Sequence, residues 1–392
     1  MAKKGDHFLK KLFIFLLFTI NFIAAIALLF AFLTQFIPPK TSIVMTYCGL
    51  FFPYIVLINL GFVIFWIFIK ARYLLMSLIL LLMNVNNIDR YYQLRGTDKP
   101  QTCDNCLKVM SYNAKLFGLY NTNNHNERLK ERNSVLTFLA EESPDIVCFQ
   151  EYFYDQKRAL NFSTTDTIIP ILKLSKSTTR DSRSFYATHF PVMLDNGYRY
   201  GLAIFSKYRI VNKGFVDLQD SLTTNGAMFA DIKYRNDTIR IYNLHLESFH
   251  IDNLDYETGK MLSNKDLNDP DFNKKAKKLS GKLAAGYKKR TDQANIVKAH
   301  IDSCRYPVII CGDFNDTPVS YVTHKIGKGF SDTFRTGGKG VGETYIGDAF
   351  PSYRIDYIFH DRKFNSYGHT VCENLKISDH YPIYSYISVK RR

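Results

Sequence analysis

The chain of 392 residues is long enough to bury a sizeable core without disulfide staples, and its seven cysteines form no regular framework. The net charge of +15 could suggest a nucleic-acid partner. However, nine basic and two acidic residues in the first 96 positions account for +7 of this charge. Charge alone therefore does not define a nucleic-acid-binding protein. Cys103 and Cys106 form a single C-x-x-C, which is too little for a structural zinc site and is compatible with a disulfide or with two free thiols.

Two long apolar runs near the N-terminus predict membrane spans. They cover Leu12–Ile37 and Ile43–Ile69, and each exceeds the roughly 20 residues needed to cross a hydrocarbon core. A third run, Tyr73–Ile88, is strongly apolar only as far as Met83. We expect this run to span the membrane too, the alternative being a segment at the membrane surface. A signal peptide would explain the first run but not the second.

The basic residues that flank the apolar runs predict the orientation. Four lysines precede the first run and Lys70 and Arg72 follow the second, whereas the first loop contains only Lys40. This distribution places the N-terminus in the cytoplasm. With three spans the remainder of the chain lies on the extracytoplasmic side, and with two it would be cytoplasmic; basic residues at positions 90, 95 and 99 count against the third span. We predict an integral membrane protein of the cell membrane whose large domain after the apolar runs is extracytoplasmic.

The change in composition along the chain predicts the domain organisation. The apolar part gives a membrane region over residues 1–95 with two or three transmembrane helices, followed by a polar linker over residues 96–106. From residue 107 to residue 392, short β-rich runs alternate with helical stretches, which predicts an α/β domain built on packed sheets.

Polar side chains lie at or near the ends of most of these predicted strands. The stretch VIICGDFNDTP is the clearest case, because a buried run stops at a glycine and then presents Asp313 and Asn315. In a single strand this could be ordinary turn chemistry. Leaving such groups buried and unpaired costs several kcal/mol, so their recurrence predicts a shared cleft. The residues concerned are Asn113, Glu151, His245, Asp313, Asn315, Asp379 and His380.

Seven short motifs follow one another in a characteristic order, namely SYNAKLFG, CFQE, YGLAIFSK, YNLHLES, CGDFNDTP, RIDYIF and SDHYPI. Their order and chemistry resemble the endonuclease/exonuclease/phosphatase family, which includes deoxyribonuclease I, abasic-site endonucleases, inositol polyphosphate 5-phosphatases and neutral sphingomyelinases. The resemblance covers roughly residues 107–389 and implies a four-layered α/β sandwich, with two packed mixed β-sheets flanked by helices. With its apolar N-terminal region, the chain resembles membrane-anchored bacterial members.

The resemblance and the side-chain chemistry together imply a metal and a general base. Glu151, Asn113 and Asp379 offer carboxylate and amide oxygens, a set that suits Mg²⁺ or Mn²⁺ better than Zn²⁺. Asp313 is expected to take a proton from the attacking water. Asn315, two residues on, is expected to orient that water or the substrate phosphate.

The same resemblance implies the groups that bind the phosphate. His380 is expected to face it, with Asp356 accepting the other ring proton of that histidine. His245 is expected to donate to a non-bridging oxygen, and Asn243 is a supporting substrate-binding candidate. The reaction implied is the hydrolysis of a phosphodiester or phosphomonoester by in-line attack of water.

The motifs specify the reaction but not the substrate. The membrane region favours a lipid headgroup in the adjoining bilayer, and a nuclease attached to the cell envelope and acting on DNA or RNA is the alternative. Lys274–Arg290 carries eight basic and no acidic residues and could face phosphates, although apolar residues at helical spacing would also make it a solvated helix face. A catalytically inactive phosphate-binding module is a second alternative.

Overall fold

The computed structural model describes residues 2–100, 103, 105–174, 184–219, 223–249, 272–346 and 353–389. The chain divides into two compact units. The helical unit consists of residues 1–91 and 317–324, and the sandwich unit consists of residues 92–316 and 325–392.

Apolar helices form most of the helical unit. Their bounds are Ala2–Thr34 (α1), Ile43–Leu50 (α2), Phe52–Ile69 (α3), Leu74–Met83 (α4) and Val85–Ile88 (α5). Two stretches, His7–Thr34 and Phe52–Ile69, are long and apolar enough to cross a membrane. The third apolar run is shorter, because its 10-residue helix α4 ends at Met83, and Asn84 separates it from the single turn of α5.

Four buried polar side chains connect three of these helices. Trp66 of α3 donates from Nε1 to Asn21 Oδ1 of α1 at 2.9 Å, and Asn21 Nδ2 donates to Ser77 Oγ of α4 at 2.6 Å. Ser77 in turn donates to Asn59 Oδ1 of α3 at 2.8 Å. Because polar groups among apolar helices have few other partners, these hydrogen bonds fix α1, α3 and α4 against one another.

Two six-stranded sheets form the sandwich unit. The first has the order β13-β14-β2-β3-β5-β4 and the second the order β10-β12-β9-β8-β7-β6, while β1 pairs with β11 in a separate ribbon. The strands are Tyr92–Gln93 (β1), Cys106–Asn113 (β2), Ile146–Asp155 (β3), Tyr186–Met193 (β4), Tyr198–Ser206 (β5), Ile210–Val216 (β6), Gly226–Tyr234 (β7), Asp237–His245 (β8), Val308–Asp313 (β9), Phe330–Asp332 (β10), Gly340–Val341 (β11), Asp356–Asp361 (β12), Phe364–Val371 (β13) and Ile383–Val389 (β14). Both sheets are mixed, because β2 and β3 run parallel in the first and β8 and β9 run parallel in the second.

Helices cover the outer faces of both sheets. The remaining α-helices in the described part of the chain are His125–Glu142 (α6), Thr165–Ile171 (α7), Phe272–Asp302 (α8), Tyr321–Gly327 (α9) and Thr333–Gly337 (α10). Val135 and Leu139 of α6 pack into the aromatic core on the first sheet. His300 of α8 lies against the rings of Tyr242 and Phe229 on the second sheet. Alternate residues of the two sheets face each other between them, so the predicted four-layered sandwich is confirmed.

One strand differs from its prediction. The sequence predicts that β3 stops at Glu151, but the strand continues to Asp155. The pairing of β3 with β5 shifts between Phe149 and Tyr152, and Glu151 has a φ of +47° at that irregularity. The predicted strand end was therefore wrong, because Glu151 lies at a β-bulge, which redirects a side chain without ending the strand.

The segment after the helical unit is bound to the sandwich unit. Tyr92 and Gln93 pair with Val341 and Gly340. Thr97 O accepts from the backbone N–H of Gly368 at 2.6 Å. Cys103 and Cys106, in the predicted linker, form a disulfide.

Candidate active site

The polar strand ends meet at one edge of the sandwich. Asn113 is the last residue of β2 in the first sheet. His245 and Asp313 are the last residues of β8 and β9 and lie opposite each other in the parallel ladder of the second sheet. Asp356 begins β12 and pairs with Asp313. The carboxyl ends of parallel strands share an edge of a sheet, so the two sheets bring their polar side chains to the same place.

The Asp313 carboxylate lies at the centre of this site. Its Oδ2 accepts from Asn113 Nδ2 at 3.0 Å and from Asn315 Nδ2 at 3.3 Å. The Nε2 atoms of His245 and His380 each lie 3.7 Å from the same oxygen. Asp313 is only 1% exposed, so its charge is stabilised by these groups rather than by bulk water.

A buried carboxylate holds His380 in place. His380 Nδ1 lies 2.9 Å from Asp356 Oδ2, which leaves Nε2 directed at Asp313. Burial alone would lower the pKa of His380, but the carboxylates of Asp356 and Asp313 outweigh it and raise the pKa to about 10. Burial raises the pKa of Asp313, and the Asp356 carboxylate adds to that rise against the opposing effect of the two histidines. At neutral pH the site therefore contains an imidazolium between two acidic groups.

Several residues of the site have left-handed backbone conformations. Glu151 has a φ of +47° and Asn315 a φ of +52°. Gly312 has a φ of +149°, and a Cβ there would lie 2.1 Å from the carbonyl oxygen of Leu244. Non-glycine residues in this region cost of the order of 1 kcal/mol each, and such strain persists where the surrounding structure requires it. The backbone is thus bent at Glu151 and beside Asp313, at Gly312 and Asn315.

Asp379 directly precedes His380 in the chain, and its charge contributes to the raised pKa of that histidine. Its Oδ2 is 3.4 Å from Lys115 Nζ and its Oδ1 is 3.4 Å from Ser378 Oγ. Ser378 donates to the carbonyl oxygen of Asn113 at 2.8 Å and accepts from the His380 backbone N–H at 3.1 Å. Sequence analysis missed both Ser378 and Lys115, although they lie inside the motifs SDHYPI and SYNAKLFG.

Asn243 does not reach the Asp313 cluster. Its Nδ2 donates to the carbonyl oxygens of Phe149 at 2.8 Å and Ala203 at 3.0 Å, and its Oδ1 accepts from Gln150 Nε2 at 2.6 Å. These partners belong to the first sheet, whereas Asn243 belongs to the second. Asn243 therefore ties the two sheets together beneath the cleft, and Gln150 is a structural partner that sequence analysis did not identify.

The oxygen donors fit a hard divalent cation. The side chains of Glu151 and Asp379 are each 31% exposed, so a hydrated ion can reach them. Asn113 lies beside Glu151, with its Nδ2 3.3 Å from Glu151 Oε1, and its Oδ1 accepts from the Lys115 backbone N–H at 3.2 Å and retains a second lone pair that could bind an ion. Asp313, Asp356 and His380 also place one ligand atom each within 4.8 Å of one another. These three are buried and two of them are already hydrogen-bonded together, which favours acid–base chemistry over ion binding.

A two-sheet α/β sandwich with an Asp–His pair, a buried carboxylate and exposed oxygen donors at one edge has the architecture of a phosphate-ester hydrolase. The chain belongs to the endonuclease/exonuclease/phosphatase family, whose model matches residues 110–380. The predicted family is therefore confirmed, and family membership supports a metal-dependent phosphoesterase or nuclease type of activity. Residues 10–91 match a domain of unknown function.

Comparisons with individual proteins give distant likenesses. A comparison with curated proteins gives no match. The chain resembles an endonuclease/exonuclease/phosphatase from Beutenbergia cavernae, with 15% identity over 73% of this chain and 72% of that chain and a TM-score of 0.48. It also resembles the human nocturnin catalytic domain with bound sulfate, with 17% identity over 73% and 95% of the two chains and a TM-score of 0.46. For D. rerio TDP2 complexed with a single-strand DNA product, the identity is 17% over 73% and 100% of the chains, and the TM-score is 0.45.

Proposed function

We propose that the protein is a membrane-anchored, divalent-metal-dependent phosphoesterase that hydrolyses its substrate by in-line attack of an activated water. The observation that carries this proposal is the environment of Asp313 Oδ2, which has two amide donors and two imidazoles around it. Such an arrangement can accept a proton from water on one side and bind phosphate oxygens on the other.

Each polar group has a proposed role. Asp313 is the general base, and Asn315 orients the water or the phosphate while its own Nδ2 also donates to the carbonyl oxygen of Leu246 at 3.0 Å. His380, held by Asp356, and His245 donate to non-bridging phosphate oxygens. In this assignment both imidazole rings donate hydrogen bonds. This agrees with their Nε2 atoms, which both lie 3.7 Å from the Asp313 carboxylate.

Glu151 and Asn113 are the proposed ligands of Mg²⁺ or Mn²⁺. Asp379 can be a third ligand only if its carboxylate releases Lys115 and binds the ion instead. A bound ion would neutralise negative charge on the phosphate. The half-exposed carboxylate of Glu151 next to the buried cluster supports this placement.

The polar cluster in the helical unit supports three membrane spans. Asn21 lies near the middle of His7–Thr34 and Asn59 near the middle of Phe52–Ile69, and both are hydrogen-bonded to Ser77. Ser77 is therefore expected within the hydrocarbon core, which supports a third span that includes α4. The sandwich unit would then be extracytoplasmic, with the domain boundary near residue 95.

A reporter active only in the cytoplasm, fused after Arg392, tests this orientation. The same reporter fused in the first loop, at Lys40, shares the predicted side and should also be silent, whereas a fusion at Arg72 should be active. A strong signal from the fusion after Arg392 would contradict the three-span arrangement.

The substrate class is proposed to be a lipid headgroup, because anchoring concentrates the enzyme on substrates in the same membrane. The nuclease alternative is favoured by α8, on which Lys274, Lys277, Lys278 and Lys288 are exposed. Binding to several backbone phosphates makes affinity fall steeply with salt, whereas binding one headgroup responds weakly. Salt dependence therefore separates the two.

A hydrolysis panel with the full chain in nanodiscs tests the function. Plasmid DNA, RNA, sphingomyelin, phosphatidylinositol phosphates and a bis-aryl phosphodiester are offered with Mg²⁺ or Mn²⁺ and with EDTA. We expect one natural class to be cleaved, with activity lost in EDTA and reduced by about 10²- to 10⁴-fold in Asp313→Asn. Full activity in this folded variant would refute the assigned base, and no turnover of any substrate would favour the inactive phosphate-binding alternative.

A further inference from the structure

Lys115 lies between two of the expected metal ligands. Its Nζ is 3.4 Å from Asp379 Oδ2, and its backbone N–H donates to Asn113 Oδ1 at 3.2 Å. The side chain is 45% exposed, so the ammonium group is accessible to solvent and to a dissolved anion. Its position, two residues after the end of β2, makes it part of the site edge.

The backbone that presents Lys115 is anchored independently of its ion pair. Lys115, Leu116 and Phe117 have φ angles of +42°, +55° and +61°, a run of left-handed residues that is rare outside glycine. Phe117 is fully buried, with its ring centroid 5.5 Å from those of Phe149 and Tyr152. This buried aromatic contact fixes the backbone of the turn. The turn therefore does not depend on the ion pair between Lys115 and Asp379.

Lys115 is a charged partner of the Asp379 carboxylate. Ser378 Oγ lies 3.4 Å from Oδ1, and Lys115 Nζ lies 3.4 Å from Oδ2. A lysine ammonium has three donors, and one carboxylate oxygen at this distance leaves capacity for another acceptor. An exposed ammonium next to a phosphate site is a suitable point charge for a phosphate oxygen.

We propose that Lys115 is a phosphate-binding residue of this site, positioned by Asp379, and that the divalent ion is held by Glu151 and Asn113 without Asp379. This inference rests on the proposed phosphoesterase site and adds a residue to its substrate contacts. Asp379 is then a positioning residue, and Lys115 supplies a permanent positive charge beside the ion.

Binding of inorganic phosphate to the full chain in nanodiscs, without metal, tests the role of Lys115. Lys115→Met should weaken phosphate binding by about tenfold or more, as expected for losing a charge-assisted hydrogen bond, and Lys115→Arg should stay within about threefold of the wild type. Lys207→Met is the matched control, because Lys207 Nζ also lies 3.4 Å from an aspartate oxygen, that of Asp145, outside the site. Unchanged phosphate affinity in Lys115→Met, or no measurable binding by the wild type, would overturn the proposal.

Binding of Mn²⁺, followed by electron paramagnetic resonance without substrate, tests the role of Asp379. Asp379→Asn should leave Mn²⁺ affinity within about threefold of the wild type, whereas Glu151→Gln should weaken it by tenfold or more. A tenfold loss in Asp379→Asn would make Asp379 a ligand and overturn this part of the proposal. The protein could bind phosphate through Lys115 and yet cleave no ester. That result would refute the proposed function but would still support the role of Lys115.

Discussion

Replacing Asn243 by alanine separates a structural role for this residue from a role in substrate binding. The substitution removes three buried hydrogen bonds, to the carbonyl oxygens of Phe149 and Ala203 and to Gln150 Nε2. Each buried group left without its partner costs about 1–3 kcal/mol, and Gln150 retains a bond to Ser111 Oγ at 3.2 Å. We therefore expect the sandwich unit to lose about 2–5 kcal/mol of its free energy of unfolding.

The assay must report on the sandwich unit specifically. The chain has one tryptophan, Trp66, and it lies in the helical unit, so tryptophan fluorescence does not follow the sheets. Hydrogen exchange of β3 and β8 in the full chain measures the expected loss of protection, with Asn126→Ala on the exposed start of α6 as the control. Unchanged protection together with a KM raised tenfold would refute the structural role and favour substrate binding.

Three further predictions concern the site and its surroundings. Asp356→Asn should lower kcat by about tenfold or more with little change in the free energy of metal binding, because His380 loses the carboxylate at 2.9 Å that orients it; an unchanged pH–rate profile and kcat would contradict this. Mn²⁺ at a hundred times its Kd should stabilise the wild type by about 2.7 kcal/mol in thermal unfolding, and Glu151→Gln should abolish the shift. Burial and then the Arg354 guanidinium lower the pKa of His369 to about 3, against the opposing effect of Asp332. The unfolded chain therefore binds the additional proton between about pH 6.5 and pH 3, so stability falls as the pH drops through that window, by about 2–3 kcal/mol at pH 4.5. His369→Gln should remove this part of the slope, and an identical slope in the variant would refute the assignment.

Sequence analysis predicted several of the residues that meet at this edge, but not the backbone geometry that brings them there. Asn113, His245 and Asp313 follow strands with clear apolar patterns, and the shared edge of two parallel ladders brings them together. Glu151 was expected at a strand end, yet it enters the cleft through a bulge. A bulge depends on the register with the neighbouring strand β5, and a single strand's pattern contains no information about that register.

The two polar residues near the end of β8 illustrate a second limit of pattern reasoning. Asn243 and His245 are two positions apart and therefore point to the same face of the sheet. Periodicity places both side chains toward the first sheet, but only the packing decides which is covered by it. Asn243 is covered by β3 and β5 and becomes a bridge between sheets, whereas His245 extends past them to Asp313.

In the basic stretch Lys274–Arg290, helical periodicity could have shown that Arg290 is buried, but Arg290 was grouped with the solvent-facing basic residues. Its lysines point mostly to solvent, as a solvated helix face predicts, but Arg290 is fully buried. Arg290 lies three residues after Tyr287 and four before Ala294, both buried, so helical spacing itself assigns it to the apolar face.

The buried Arg290 connects the basic helix to the loops of the site. Its Nη1 donates to the carbonyl oxygen of Glu247 at 2.7 Å, and its Nε lies 3.5 Å from Asp316 Oδ2. Glu247 follows His245 by two residues, and Asp316 follows Asp313 by three, so one side chain contacts the segments that follow β8 and β9. The guanidinium of Arg290 thus holds the segments next to the site in position. It is buried and cannot contact a nucleic acid, so the net charge of α8 exceeds the charge available on its surface.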